Sequence, residues 1–161
     1  WRFDFKWNCG EFYIQRAVNQ MVRPKKIWMT DDSRLSRRIM RNALTEGFEK
    51  TEFIECQDGT TARRTLDDIA DDVDLVVLDF KLPQYSGLEL LRAIRSIPGK
   101  PKIPVLIVTS DQTAARQIQD LEVKHNIDVS PCGLLLKPFN ADEARSIAKA
   151  LIDTAMQTPV S

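Results

Sequence analysis

Four short apolar runs in this 161-residue chain end in side chains able to do chemistry. Ile27-Trp28-Met29 leads into Thr30 and the acidic pair Asp31-Asp32, and Leu75-Val76-Val77-Leu78 into Asp79. The run from Ile103 to Val108 leads into Thr109-Ser110, and Leu134-Leu135-Leu136 into Lys137, followed by Pro138 and Phe139. If the runs are parallel strands, their carboxyl ends share one edge, where open α/β sheets place their ligands. Three carboxylates, a hydroxyl and an ammonium then face one space. Neighbouring carboxylates repel and call for a cation. With oxygen donors and no imidazole or thiolate beside them, that cation is Mg²⁺, which keeps positions open for phosphate oxygens. Lys137 adds positive charge and Thr109 a hydroxyl donor. The set suits a phosphoryl group, with a carboxylate as nucleophile.

The elements that must position these residues follow from periodicity. A first helix begins after Asp31-Asp32-Ser33, with Asp32 or Ser33 as its cap, and buries Ser36, Ile39, Met40, Ala43 and Leu44 before Gly47. Phe53 to Glu55 form a second strand, and Asp58-Gly59 turn into a helix reaching about Ala70. Asp79 is followed by a loop marked by Pro83 and Gly87, then by the helical stretch GLELLRAIRS. A fourth helix is predicted from about Gln112 to Lys124 and a fifth from Ala141 to about Ala155. Five strands alternating with five helices predict an α/β, doubly wound five-stranded parallel sheet.

Composition removes other classes. Lys plus Arg number 23 and Asp plus Glu 23, so a domain held to nucleic acid by bulk charge is excluded. No apolar run approaches a membrane span, and charges interrupt the first residues where a signal peptide would be apolar. Cys9, Cys56 and Cys132 show neither metal spacing nor a disulfide framework, which predicts reduced thiols in a cytoplasmic protein. His125 is the sole histidine and lies in a polar stretch, so it reads as a surface residue.

Residues 1–24 differ in character. Trp1, Phe3, Phe5 and Trp7 alternate with charged residues as in a half-buried strand, and Tyr13 to Val22 have helical spacing before Pro24. Two readings stand for this strand–helix extension. It packs on its own domain, a second copy or a partner, or it is the end of an upstream module; the absence of an initiator methionine favours a truncated or processed chain.

The acidic pair Asp31-Asp32, the loop DFKLPQYSG, Thr109-Ser110, Lys137-Pro138-Phe139 and the helix RRIMRNALTEGF together resemble the receiver domain of bacterial two-component response regulators, of the single-domain chemotaxis type with a flavodoxin-like fold. The resemblance covers about residues 25–157. It implies that Asp79 accepts a phosphoryl group from a histidine kinase or phosphotransfer protein. It also implies that Asp32, Asp79 and the Lys81 backbone carbonyl ligate Mg²⁺, with Asp31 acting mainly through water. Thr109 and Lys137 would meet the phosphoryl oxygens, and the bond before Pro138 would be cis. No effector domain is expected after the last helix.

Arg34, Arg37, Arg38 and Arg41 share one side of the first helix, beside Leu35, and read either as a solvated face or as a stripe steering an acidic partner. Three departures from the family pattern matter. Leu134 stands where the family has an aromatic switch. The Thr109–Lys137 interval is about six residues longer than usual, with VKHNIDVSPCG carrying a surplus expected on the output face or as a tolerated surface insertion. Lys81 and Asp111, each two residues beyond a site residue, carry opposite charges that can pair across the mouth and slow hydrolysis of an acyl phosphate. Two rivals accompany the receiver reading: a degenerate receiver that binds without phosphate, and an aspartyl-nucleophile phosphatase of the haloacid dehalogenase kind, whose two-aspartate spacing TDDS lacks. A homodimer through the extension, or through the face of the fourth helix, fifth strand and fifth helix, is open.

Overall fold

The computed structural model of the protein describes residues 25–69, 73–97 and 103–157. The extension over 1–24, with Cys9, lies outside them. Strand β1 (Lys25–Thr30) leads to helix α1 (Arg34–Thr45), β2 (Thr51–Cys56) to α2 (Gly59–Ile69), β3 (Leu75–Asp79) to α3 (Gly87–Arg95), β4 (Val105–Thr109) to α4 (Ala114–His125), and β5 (Cys132–Leu136) to α5 (Ala141–Gln157). The sheet order is β2-β1-β3-β4-β5 and every pairing is parallel. The order reverses between β1 and β3, which puts the crevice between the ends of those two strands.

β3 and β4 are buried along their whole length because helices cover both faces, which is why they read as unbroken apolar runs. Alternation divides their side chains. Ile27, Met29, Leu75, Val77, Leu106, Val108 and Leu135 pack with α1 and α5. Trp28, Val76, Leu78, Val105 and Ile107 pack on the opposite face with α2, α3 and α4. Asp31, Asp79 and Lys137 continue the first phase and Thr109 continues the second.

Local chemistry fixes where the helices begin. Ser33 caps α1 by accepting from Ser36 N–H. Ser86 and Glu89 form a reciprocal capping box at α3. Gly87 has no substitute: a Cβ there would stand 2.5 Å from the Asp79 carbonyl oxygen, so α3 can start against the β3 end only without a side chain. Gly59 is constrained likewise, with the Tyr85 carbonyl oxygen 2.6 Å from the Cβ position.

Two expectations are corrected. Ile39 does not join the buried face of α1; it is 47% exposed, one turn beyond the exposed Leu35, while Met40, Ala43 and Leu44 fill the core. The surplus between α4 and β5 lies at the amino edge of the sheet, opposite Asp79, because it enters a strand rather than leaving one. It is not a bare surface insertion. Val129 is buried, Ile127 packs against the core, and Arg95 holds the segment from α3. The Arg95 guanidinium donates to Val129 O at 2.7 and 3.0 Å, Pro131 O at 3.0 Å and Ile103 O at 2.8 Å. The peptide bonds before Pro131 and Pro138 are both cis.

Candidate functional site

The site forms where the ladder continues just past the strand ends. Asp31 N–H donates to Cys56 O and Lys137 N–H to Thr109 O at 2.8 Å, so the backbone of each is fixed before its side chain acts. Lys137 Nζ then lies 2.8 Å from Asp31 Oδ2 and 2.9 Å from Asp79 Oδ2. The remaining oxygens are also engaged. Asp31 Oδ1 accepts from Ser33 N–H at 2.8 Å and Asp79 Oδ1 from Lys81 N–H at 3.2 Å. Asp32 is exposed at the rim, and Asp31, Asp32 and Asp79 each offer a carboxylate oxygen, all within 4.8 Å of one another. Beneath them, Met29, Met40, Val77, Val108 and Phe139 contribute an apolar lining to a pocket of about 10 Å³.

This environment sets the charge states. Burial pushes the Asp79 carboxyl above the usual carboxylate value and the Asp31 charge adds to that, while Lys137 and the Lys81 amide pull it back. For Lys137 burial works against the charged form, but the bonds to Asp31 and Asp79 outweigh it and raise its pKa. Three carboxylates against one ammonium leave an excess of negative charge. A hard divalent cation fits that oxygen donor set.

Thr109 is fully buried on the other side of the sheet edge, and among the described residues its hydroxyl accepts from Asp111 N–H at 3.0 Å rather than meeting Asp79 or Lys137. The Lys81 ammonium stands 3.4 Å from Asp111 Oδ2, so the pairing expected across the mouth is present. The arginine stripe is divided. Arg37 and Arg41 both bind Glu55 of β2, and Arg41 also lies over the Phe53 ring, 4.6 Å from its centroid. Arg34 and Arg38 stay exposed without a partner among the described residues. Leu134 is half-buried against the α2–α3–α4 face. Cys56 and Cys132 are free thiols that burial keeps protonated, the latter pushed up to about 11, and His125 is exposed at the end of α4.

The direct bond between Asp31 and Lys137 was not anticipated from the sequence, which gave Asp31 a role only toward Mg²⁺, mainly through water. The signal was available: Asp31 shares the alternation phase of Met29, whereas Asp32 does not.

A parallel sheet ordered 2-1-3-4-5 with an acidic crevice and a lysine at its carboxyl edge places the chain among the doubly wound, flavodoxin-like α/β proteins. The family model described as the response regulator receiver domain matches residues 27–149, and the chain belongs to that family. It is 35% identical over 117 residues to the chemotaxis protein CheY of Pseudomonas aeruginosa, covering 72% of this chain and 86% of that one. Chemotaxis protein CheY1 of Helicobacter pylori is 28% identical over 130 residues, covering 80% and 98%. Among solved structures, a response regulator receiver domain protein from Clostridium thermocellum superposes with a TM-score of 0.65 at 24% identity, covering 81% and 95% of the two chains. The phosphorylated cyanobacterial phytochrome response regulator RcpA gives 0.61 at 25% identity, covering 85% and 97%.

Proposed function

We propose that Asp79 is the phosphoacceptor of this receiver domain and that a partner protein reads its phosphorylation. The observation that carries the reading is the Asp79 carboxylate, held by Lys137 and the Lys81 amide at the end of β3, with two further carboxylates beside it. In the reaction an Asp79 oxygen attacks the phosphorus of a phosphohistidine, the O–P bond forms as the P–N bond breaks, and the imidazole leaves with the electron pair. Lys137 is close enough to follow the charge onto the phosphoryl oxygens, and Thr109 reaches them by giving up its bond to Asp111. Asp31, Asp32, Asp79 and the Lys81 carbonyl would hold Mg²⁺, which when bound neutralises phosphoryl charge.

A histidine kinase or histidine phosphotransfer protein is the proposed donor, met in the cytoplasm. Exposed Leu35 and Ile39 flanked by Arg34 and Arg38 support α1 as the docking face. No helix among the described residues is long and apolar enough to cross a membrane.

Incubation with a small acyl-phosphate donor and Mg²⁺, read by intact mass, tests the assignment. A single phosphoryl adduct that disappears in Asp79→Ala is the expected result. Absence of an adduct points to the degenerate receiver, and steady turnover of the donor without an adduct to the phosphatase.

A further inference from the structure

Leu134 raises the question of how a charge placed on Asp79 reaches the rest of the molecule. A leucine carries no hydroxyl, so no polar link can run from Thr109 through it. The polar link from Thr109 runs to Asp111, and Asp111 is committed in several directions at once. Its N–H donates to Thr109 Oγ1 at 3.0 Å. Its Oδ1 accepts from Thr113 N–H at 2.9 Å and Thr113 Oγ1 at 2.7 Å, and its carbonyl accepts from Ala114 N–H at 3.2 Å. Its Oδ2 faces the Lys81 ammonium at 3.4 Å. Thr113, formally the residue preceding α4, has helical backbone angles and makes no side-chain cap of its own. Its hydroxyl instead donates to Asp111 and accepts from Gln117 Nε2 at 2.9 Å. Asp111 is therefore the working cap of α4, and the same carboxylate is tied through Lys81 to the Asp79 loop.

We propose that the Lys81–Asp111 pair is a latch that couples the charge on Asp79 to the first turn of α4, in place of a threonine–aromatic switch. The inference rests on Asp79 being the phosphoacceptor. The Lys81 backbone is anchored to Asp79 Oδ1 while its side chain is 66% exposed and long enough to turn either way. A phosphoryl group on Asp79 adds negative charge beside that anchor and competes with Asp111 for the ammonium. If Thr109 also turns to the phosphoryl group, the Asp111 N–H loses its acceptor in the same event. Both losses fall on the residue that holds the start of α4, so the Asp111–Thr113 segment and the first turn open more often. The latch is a population bias rather than a lock, since an exposed ion pair shifts an equilibrium only a few-fold.

Amide hydrogen exchange across residues 111–118 of the full chain tests this, in wild type, Lys81→Gln and Asp111→Asn, each with and without the small acyl-phosphate donor and Mg²⁺. Asparagine keeps an acceptor for Thr113 and loses only the pair. In wild type the donor should raise exchange in this segment about two- to fivefold, the range of an exposed ion pair's effect on an equilibrium. Both variants should begin at the raised level and respond less to the donor, and the double variant should add nothing to either. Unchanged basal exchange in Lys81→Gln, a full donor response in either variant, or additive effects in the double variant would overturn the latch. Intact mass on the same samples keeps the two readings apart: an adduct without a response at 111–118 sinks the latch alone, whereas no wild-type adduct sinks the phosphoacceptor assignment and the latch with it.

Discussion

Lys137 and Asp31 are 106 positions apart in the chain and 2.8 Å apart in space. Their contact, shared with Asp79 at 2.9 Å, closes the carboxyl edge of the sheet across β1, β3 and β5. Asp31 is in turn fastened to the start of α1 through Ser33 N–H, so the lysine is part of the fold as well as of the site.

Lys137→Met should therefore cost stability as well as phosphorylation. It leaves Asp31 and Asp79 buried together without their cation, a loss of roughly 2–4 kcal/mol at neutral pH. The Asp79 carboxyl, already raised by burial, then loses the Lys137 bond that pulled it back, so the variant should regain stability as pH falls. Urea unfolding at mildly acidic and at neutral pH checks both the size and the sign.

Asp79→Asn should act in the opposite direction. Asp79 has a raised folded pKa, so the folded state binds its proton more tightly, and stability falls as pH rises from the ordinary carboxylate value through the folded value. Above that window the wild type carries the full penalty and the amide carries none. The variant is expected to be more stable at neutral pH, with the difference vanishing in acid. Thermal melts across pH decide it; a variant less stable than wild type at pH 7 would show that the Lys137 bond outweighs burial.

Most of the frame was legible from the chain because strand burial writes itself as apolar runs. The runs Ile103 to Val108 and Leu75 to Leu78 could be placed from their apolar character alone, and each named the residue at its end. Contacts that depend on where a helix sits in space were not legible. Ile39 has the spacing of a core residue, yet α1 is rotated so that Met40, Ala43 and Leu44 fill the interface. Arg37 and Arg41 read either as a solvated face or as a stripe steering a partner, and only the packing of α1 beside β2 delivers them to Glu55. The longer α4–β5 connection read as surface because nothing local tells that Arg95 of α3 will reach its carbonyls.

The Lys81–Asp111 pair also bears on the lifetime of an acyl phosphate. The Lys81 side chain, whether paired with Asp111 or turned to the phosphoryl group, obstructs the approach of water to the Asp79 side. Lys81→Ala should shorten the phosphoryl lifetime by about two- to tenfold, a modest effect because the pair is exposed and screened. Decay of the adduct after removal of the donor measures it, and an unchanged lifetime would retire the idea.

Because Glu55 occupies Arg37 and Arg41, only Arg34 and Arg38 can steer an incoming partner from α1. Arg38→Glu should slow phosphotransfer from an acidic donor protein several-fold at low salt and little at high salt, since the effect acts on encounter rather than on chemistry. The rate with a small acyl-phosphate donor should not change. Loss of activity with both donors would mean that the substitution disturbs the site itself.

Arg95 offers the sharpest test of the α4–β5 connection. Its guanidinium serves three backbone carbonyls, those of Ile103, Val129 and Pro131, and burial lowers its pKa. Arg95→Met keeps much of the apolar stem but takes the guanidinium from the Ile103 and Val129 carbonyls and leaves Pro131 O with Val105 N–H alone, at a cost of about 1–3 kcal/mol. The loss should be local before it is global. Amides of residues 126–132 should exchange faster by more than the global destabilisation explains, while those of β1 and β3 follow the global change. The site lies at the opposite edge of the sheet, so phosphorylation of Asp79 by a small donor should proceed at the wild-type rate. A uniform rise in exchange would mean that Arg95 stabilises the whole domain rather than fixing this segment.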